Sequence, residues 1–207
     1  FFFDSKVQAK IKFDTELWLH NGQSYSKSLN KIFSKIKNEN WTGVELDVYF
    51  SENHREFFIT HDSSFNKNLP KIEDFYLIND NKIWLDFKNL SDIPLSDLKN
   101  LKNKLRNIST KNQIFLEGQN FIKLKYLQSK EINIIFNLPI IDNKLYLILM
   151  KYITDLMNFE YISVSIDSLS LLEKYFKPSQ IFLFTINSSR RLCELMSKQS
   201  VNVILTS

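Results

Sequence analysis

Gly43-Val44-Glu45-Leu46-Asp47-Val48 places two carboxylates two residues apart inside an apolar, β-prone run. Ile83-Trp84-Leu85-Asp86-Phe87-Lys88 repeats the pattern with a carboxylate and an ammonium. Residues i and i+2 of a strand share a face, so Glu45 projects with Asp47, and Asp86 with Lys88. Two further runs end on imidazoles: Trp18-Leu19-His20-Asn21-Gly22 and Phe58-Ile59-Thr60-His61-Asp62. Such groups in apolar strands are costly unless they bind or catalyse something. The set points to a metal-assisted acid/base site at strand ends.

Around these runs the chain alternates β-like and helical patterns. The β-like runs cover 16–20, 44–49, 83–87, 114–117, 132–137, 161–165, 181–185 and 201–205, and a run at 56–61 reads as an extension paired to the second strand. Leu29, Ile32, Phe33 and Ile36 follow helical i, i+3, i+4, i+7 spacing, with Ser26 as candidate N-cap. Leu95, Leu98, Leu101, Leu105 and Ile108 form a second stripe, with Pro94 in its first turn. Residues 145–157 and 192–196 supply further helices, and the apolar stretch Leu145 to Met150 reads as buried. The stretch from Asp62 to Asp80 has no long periodic element and reads as a loop near the site.

Alternating β and α elements predict a parallel sheet with helices outside. About eight strands in this order predict a small (β/α)8 TIM barrel, with the final helix missing after the last strand. Barrel sites lie at the C-terminal strand ends, where His20, Glu45, Asp47, His61, Asp86 and Lys88 would converge. No glycine-rich phosphate loop is present, which argues against a nucleotide-binding fold.

The 207 residues suit one domain, read here as 10–207. Net charge is +4, with scattered lysines, so nucleic acid is not expected as a partner. A mildly basic surface would still favour anionic lipid or a phosphorylated substrate. Cys193 is the single cysteine, so neither an internal disulfide nor a cysteine zinc site can form. Phe1-Phe2-Phe3 followed by Val7-Gln8-Ala9 resembles the end of a signal peptide, which makes residues 1–9 a leader remnant or a flexible terminus. The leader reading implies export, periplasmic or extracellular, and the flexible-terminus reading a cytoplasmic protein. No stretch reaches the ~20 apolar residues of a membrane span.

Glu45, Asp47 and Asp86 offer hard oxygen ligands, which suit Ca²⁺ or Mg²⁺ better than zinc. His20 and His61 could divide proton removal and proton delivery, roles that suit an imidazole because its ordinary pKa lies near neutral pH. Lys88 would stabilise charge growing on a phosphoryl group, or else simply pair with Asp86. Glu117 ends the fourth barrel strand and either lines the site or makes a salt bridge. Asn187 either touches substrate or holds a loop, and His54 reads as exposed in a polar turn.

In order and spacing, His20-Asn21-Gly22, Glu45-Leu46-Asp47, His61-Asp62 and Asp86-Phe87-Lys88 resemble the motifs of the glycerophosphodiester phosphodiesterases, in the phosphatidylinositol-phospholipase-C-like superfamily. That family shows His-Arg-Gly, Glu-x-Asp, His-Asp and Glu-x-Lys. Leu183-Phe-Thr-Ile-Asn187 and Val203-Ile-Leu-Thr206 resemble its closing strands. The resemblance implies a TIM barrel hydrolysing glycerophosphodiesters or lysophospholipid headgroups. His20 and His61 would be the acid/base pair, and Glu45, Asp47 and Asp86 the metal ligands. Lys88 would take the family's lysine role, and Asn21 would stand at its substrate-binding arginine.

The departures are specific. Asn21 lacks the charge of the family's arginine. Gln23-Ser-Tyr-Ser-Lys27 replaces the usual Pro-Glu-Asn-Thr segment, Asp86 replaces Glu, and Ser207 replaces a terminal Asp. Asp86-x-Lys88 without the arginine is similar to sphingomyelinase-D-like phospholipases, and Leu85-Asp-Phe-Lys-Asn89 to a related animal family. A barrel that binds a phosphorylated ligand or a protein without turnover is the third reading.

Overall fold

The computed structural model describes residues 15–24, 28–62, 68–77, 79–138, 143–198 and 201–206. The leader reading at 1–9, the Ser26 cap and Ser207 lie outside the described residues.

Among the described residues nine strands form one sheet: β1 (Glu16–Leu19), β2 (Gly43–Ser51), β3 (Glu56–Ile59), β4 (Lys82–Phe87), β5 (Gln113–Gly118), β6 (Ile132–Asn137), β7 (Tyr161–Ser165), β8 (Ile181–Phe184) and β9 (Val203–Thr206). Eight are parallel and close into a barrel, because β1 pairs with both β9 and β2. The ninth, β3, is antiparallel to the upper half of β2. This is a small (β/α)8 TIM barrel, as the sequence pattern predicts.

Period-2 alternation sorts the strand residues into two cores. Inward positions of β1, β4, β5, β8 and β9 supply Trp18, Trp84, Phe115, Phe182, Val203 and Leu205, which plug the barrel. The Trp18 and Phe115 rings meet at 5.1 Å and those of Trp84 and Phe182 at 5.2 Å, both edge to face. Gly43 is needed beside this plug, since a Cβ there would stand 2.5 Å from the Trp18 ring. Outward positions such as Val44, Leu46, Val48, Ile83, Leu85 and Leu116 pack beneath the helices.

Helix α1 (Leu29–Asn38) buries the stripe Leu29, Ile32, Phe33 and Ile36, and Ser28 holds its N-cap position. Helix α2 (Leu95–Ser109) buries Leu98, Leu101, Leu105 and Ile108. Pro94 sits at its N-cap, one step before the first turn. The remaining helices are α3 (Phe121–Leu127), α4 (Lys144–Met157), α5 (Leu169–Leu172) and α6 (Ser189–Lys198). In a parallel barrel each helix starts at the end where strands finish, so helix N-termini ring the mouth.

Two expectations need correction. Residues 62–80 are not all loop: a 3-10 turn at Ile72–Leu77 buries Ile72 and Phe75 where a barrel helix would pack. Residues 63–67 and 78 lie outside the described part. Helix α4 is not buried throughout either. Leu147 and Met150 face inward, but Leu145, Ile148 and Leu149 are exposed. A helix with two apolar faces can bury only one against a barrel.

Candidate active site

The strand register brings the polar residues together. Asp47 of β2 pairs with Asp86 of β4, and Asp86 with Glu117 of β5. All three sit at the C-terminal halves of inward-facing rows, directly above the aromatic plug. Glu45, Asp47 and Asp86 each bring one oxygen within 4.8 Å of the others. Glu45 and Asp47 are buried, and Asp86 is partly so.

Lys88 continues the inward row of β4. Its ammonium contacts Asp47 Oδ1 at 2.5 Å and also Asp86 Oδ2. Burial alone would lower its pKa, but Asp86 and Asp47 together push it up, so the ammonium stays charged. Burial raises the Glu45 carboxyl well above its ordinary value, and Asp47 and Asp86 add to the rise. Asp86 is raised as well, by burial first, with Lys88 pulling the other way. Three carboxylates against one ammonium leave two negative charges when all are ionised. A hard divalent cation fits both that charge and the all-oxygen donor set.

The loop after β1 frames this cluster from one edge of β2. His20 N donates to Thr206 O at 2.9 Å, which fixes His20 at the barrel seam. Asn21 adopts the left-handed region at φ 51, where Asn is better tolerated than most residues. That turn aims its backbone N–H at Glu45 Oε2, 2.6 Å away. Gly22 follows under Val44, which a Cβ would approach to 2.5 Å. Gln23 then closes a two-point clamp: its Nε2 donates to Asp47 Oδ2 at 2.5 Å, and its Oε1 accepts from Asp47 N at 3.3 Å. Sequence reasoning missed Gln23, since a lone glutamine in a turn carries no periodic signal.

The hairpin of β2 and β3 carries the second imidazole back to the same edge. Val48 pairs with Ile59, and Thr60 N donates to Asp47 O at 3.0 Å. His61 therefore returns to the level of Asp47, on the edge of β2 that β1 occupies lower down. Its Nδ1 lies 2.8 Å from Asp62 Oδ1, and both side chains are exposed. His20 is half-buried, with Nε2 4.0 Å from Glu45 Oε2. Its pKa is lowered, mainly by burial, against the pull of Asp47.

On the other edge of β2, Asn89 extends the β4 ladder with its side chain. Its Oδ1 accepts from Phe50 N at 2.9 Å and its Nδ2 donates to Phe50 O at 3.0 Å. Arg55, in the hairpin turn at φ 52, grips the buried Asp97 of α2 at 2.7 Å. These contacts hold the hairpin that delivers His61. His54 is also engaged, its Nδ1 2.9 Å from Ser51 Oγ.

Glu117 occupies the barrel interior next to Asp86 and makes no salt bridge of its own among the described residues. It accepts hydrogen bonds from Trp84 Nε1 at 2.6 Å, Asn137 Nδ2 at 2.5 Å and Ser163 Oγ. Burial, and then Asp86, push its carboxyl up to about 8, so it is largely neutral at pH 7. Asn187 is exposed just beyond β8, at the mouth end.

The fold and the mouth cluster define a (β/α)8 barrel with an acidic, cation-fitting centre. Solved structures share its fold. A glycerophosphodiester phosphodiesterase from Parabacteroides distasonis superposes with a TM-score of 0.71 at 13% identity, covering 95% of this chain and 94% of that one. A protein named provisionally as a glycerophosphodiester phosphodiesterase from Galdieria sulphuraria gives 0.67 at 10% identity, covering 93% of each chain. A calcium-dependent phosphoinositol-specific phospholipase C from a Pseudomonas species gives 0.56 at 10% identity, covering 93% and 88%. No family model and no curated relative matches the chain.

Proposed function

We propose that this protein is a metal-dependent phosphoric diester hydrolase acting on glycerophosphodiesters or lysophospholipid headgroups. The observation that carries the reading is the cluster of Glu45, Asp47 and Asp86 at the barrel mouth, flanked by His20, His61 and Lys88. The fold shared with phosphodiesterases and a calcium-dependent phospholipase C supports it.

Glu45, Asp47 and Asp86 would hold Ca²⁺ or Mg²⁺, which supplies positive charge for a phosphoryl oxygen. Lys88 adds a second positive group beside it. His20, whose pKa burial lowers, is suited to remain neutral and take a proton from the nucleophile. His61, at the open rim, would deliver a proton to the leaving oxygen, with Asp62 orienting its ring. The nucleophile is water or a hydroxyl of the substrate itself, the latter giving a cyclic phosphate.

A lipid substrate of the sphingomyelinase-D type is the second reading. Leu95 and Ile122, in the first turns of α2 and α3, are large apolar side chains exposed at the mouth end. Such a rim would meet the acyl region while the headgroup enters the site.

Hydrolysis of glycerophosphocholine, glycerophosphoethanolamine, lysophosphatidylcholine and sphingomyelin, with Ca²⁺, with Mg²⁺ and with chelator, tests both readings. Chelator-sensitive turnover that is lost in His20→Ala and in His61→Ala is expected. Turnover retained in both variants would sink the acid/base assignment. Metal binding with no turnover on any substrate would favour a ligand-binding barrel instead.

A further inference from the structure

Helix α4 carries an apolar seam on its solvent side. Leu145, Leu149, Tyr152 and Leu156 are 76%, 50%, 63% and 63% exposed, with Ile148 beside them at 45%. Their spacings are 4, 3 and 4 residues, the d-a-d-a order of a helix-pairing seam. The opposite face of the same helix, with Leu147, Met150 and Thr154, is already buried against the barrel. Helix α3 exposes a smaller apolar pair, Ile122 and Tyr126, but the two long helices α1 and α2 look different. The outer face of α1 shows Asn30, Lys31, Ser34 and Lys37, and that of α2 shows Lys99, Asn100, Asn103 and Arg106. The α4 seam is therefore a local feature and not a consequence of an apolar composition.

We infer that α4 packs against α4 of a second copy of this chain, forming a two-fold dimer. The seam runs the whole length of the helix, from Leu145 at the mouth end to Leu156 at the far end of the barrel. A membrane approached by the mouth would touch only the first turn. The seam is also poor in the lysines that an interfacial membrane helix displays. Lys151 lies off it and pairs with Asp155 on the same helix.

An isologous pair needs a self-complementary patch, and a 4-3-4 seam meets itself in register. Crossing antiparallel, the helices set Leu145 opposite Leu156 of the partner subunit, and Leu149 opposite Tyr152 of the partner subunit. That arrangement brings the Lys144 end of one helix against the Asp155 end of the other and opposes the two helix dipoles. A stable interface hides roughly 800 Å² per partner. Five large side chains, about half to three-quarters exposed, supply a good part of that area, and an apolar patch of this extent marks an interaction surface.

Light scattering on a sizing column tests the inference. The wild-type chain should run near twice 24.6 kDa at micromolar concentration. Leu149→Glu and Tyr152→Glu should run as monomers with unchanged circular dichroism, since both positions are exposed. Lys99→Glu, on the outer face of α2, should leave the dimer intact. A wild-type protein that stays monomeric overturns the inference, whether or not it binds phosphatidylcholine vesicles; vesicle binding lost in Leu149→Glu would assign the seam to lipid. A dimer that survives both seam substitutions overturns it too.

Discussion

The ammonium of Lys88 lies 2.5 Å from Asp47 Oδ1, and it touches Asp86 as well. Lysine thus partly neutralises the carboxylates that would bind a cation, and holds them together without one. Removing it leaves buried carboxylates unopposed. Lys88→Met should lower the stability of the chelator-treated protein by about 1–3 kcal/mol. Calcium should then restore more stability to this variant than to wild type, because it replaces charge that lysine no longer provides. Urea melts with and without calcium read both effects. Equal calcium increments in the two proteins would show that Lys88 and the cation do not share those oxygens.

Gln23 holds Asp47 at two points, one on the side chain and one on the backbone. A clamp of this kind sets which oxygen faces a ligand. Gln23→Ala should leave the melting temperature within a few degrees of wild type and weaken divalent-ion binding roughly 10-fold. Isothermal titration with calcium measures it. An unchanged affinity would make Gln23 a loop-fixing residue only.

The desolvated imidazole of His20 has a pKa below its ordinary value, so its neutral form persists to lower pH. As general base it is active when deprotonated. The acidic limb of kcat/KM should therefore fall below pH 6.5, with rate rising as pH rises through it. A limb above pH 7 would assign the base to another group.

Much of this site was legible because strands have period two. Glu45 with Asp47, and Asp86 with Lys88, could be assigned to one face before any packing was known. The parallel barrel followed from the alternation of elements, and the mouth location from the barrel. The supporting contacts were not legible. Asn89 reaching Phe50, Arg55 reaching Asp97 and Gln23 reaching Asp47 span 24 to 42 residues and depend on how loops close over the barrel. Helix α4 misled for another reason. Its apolar residues cover both faces, and hydropathy cannot say which face meets the barrel. For Glu117 the choice between lining the site and pairing in a salt bridge stayed open, because no sequence signal places Trp84, Asn137 and Ser163 around it.

That enclosure of Glu117 makes a prediction about pH. Its carboxyl titrates near 8 in the folded protein, against 4.5 when solvated. The folded state therefore binds the proton more tightly than the unfolded chain. Stability from this group is fully present below pH 4.5 and is lost as pH rises towards 8, at up to about 1.4 kcal/mol per pH unit. Glu45 and Asp86 are shifted in the same direction, so the metal-free wild-type protein should weaken steadily over this window. Glu117→Gln keeps the shape of the side chain and cannot ionise. Its carbonyl can accept from Trp84, and its amide can donate to Ser163 Oγ and, once Asn137 turns its amide, to Asn137 Oδ1. In chelator, the variant should therefore gain on wild type progressively between pH 5 and pH 8, as read by urea melts across that range. A stability difference that stays constant with pH would mean that Glu117 is already ionised inside the barrel, with its charge carried by the three donors around it.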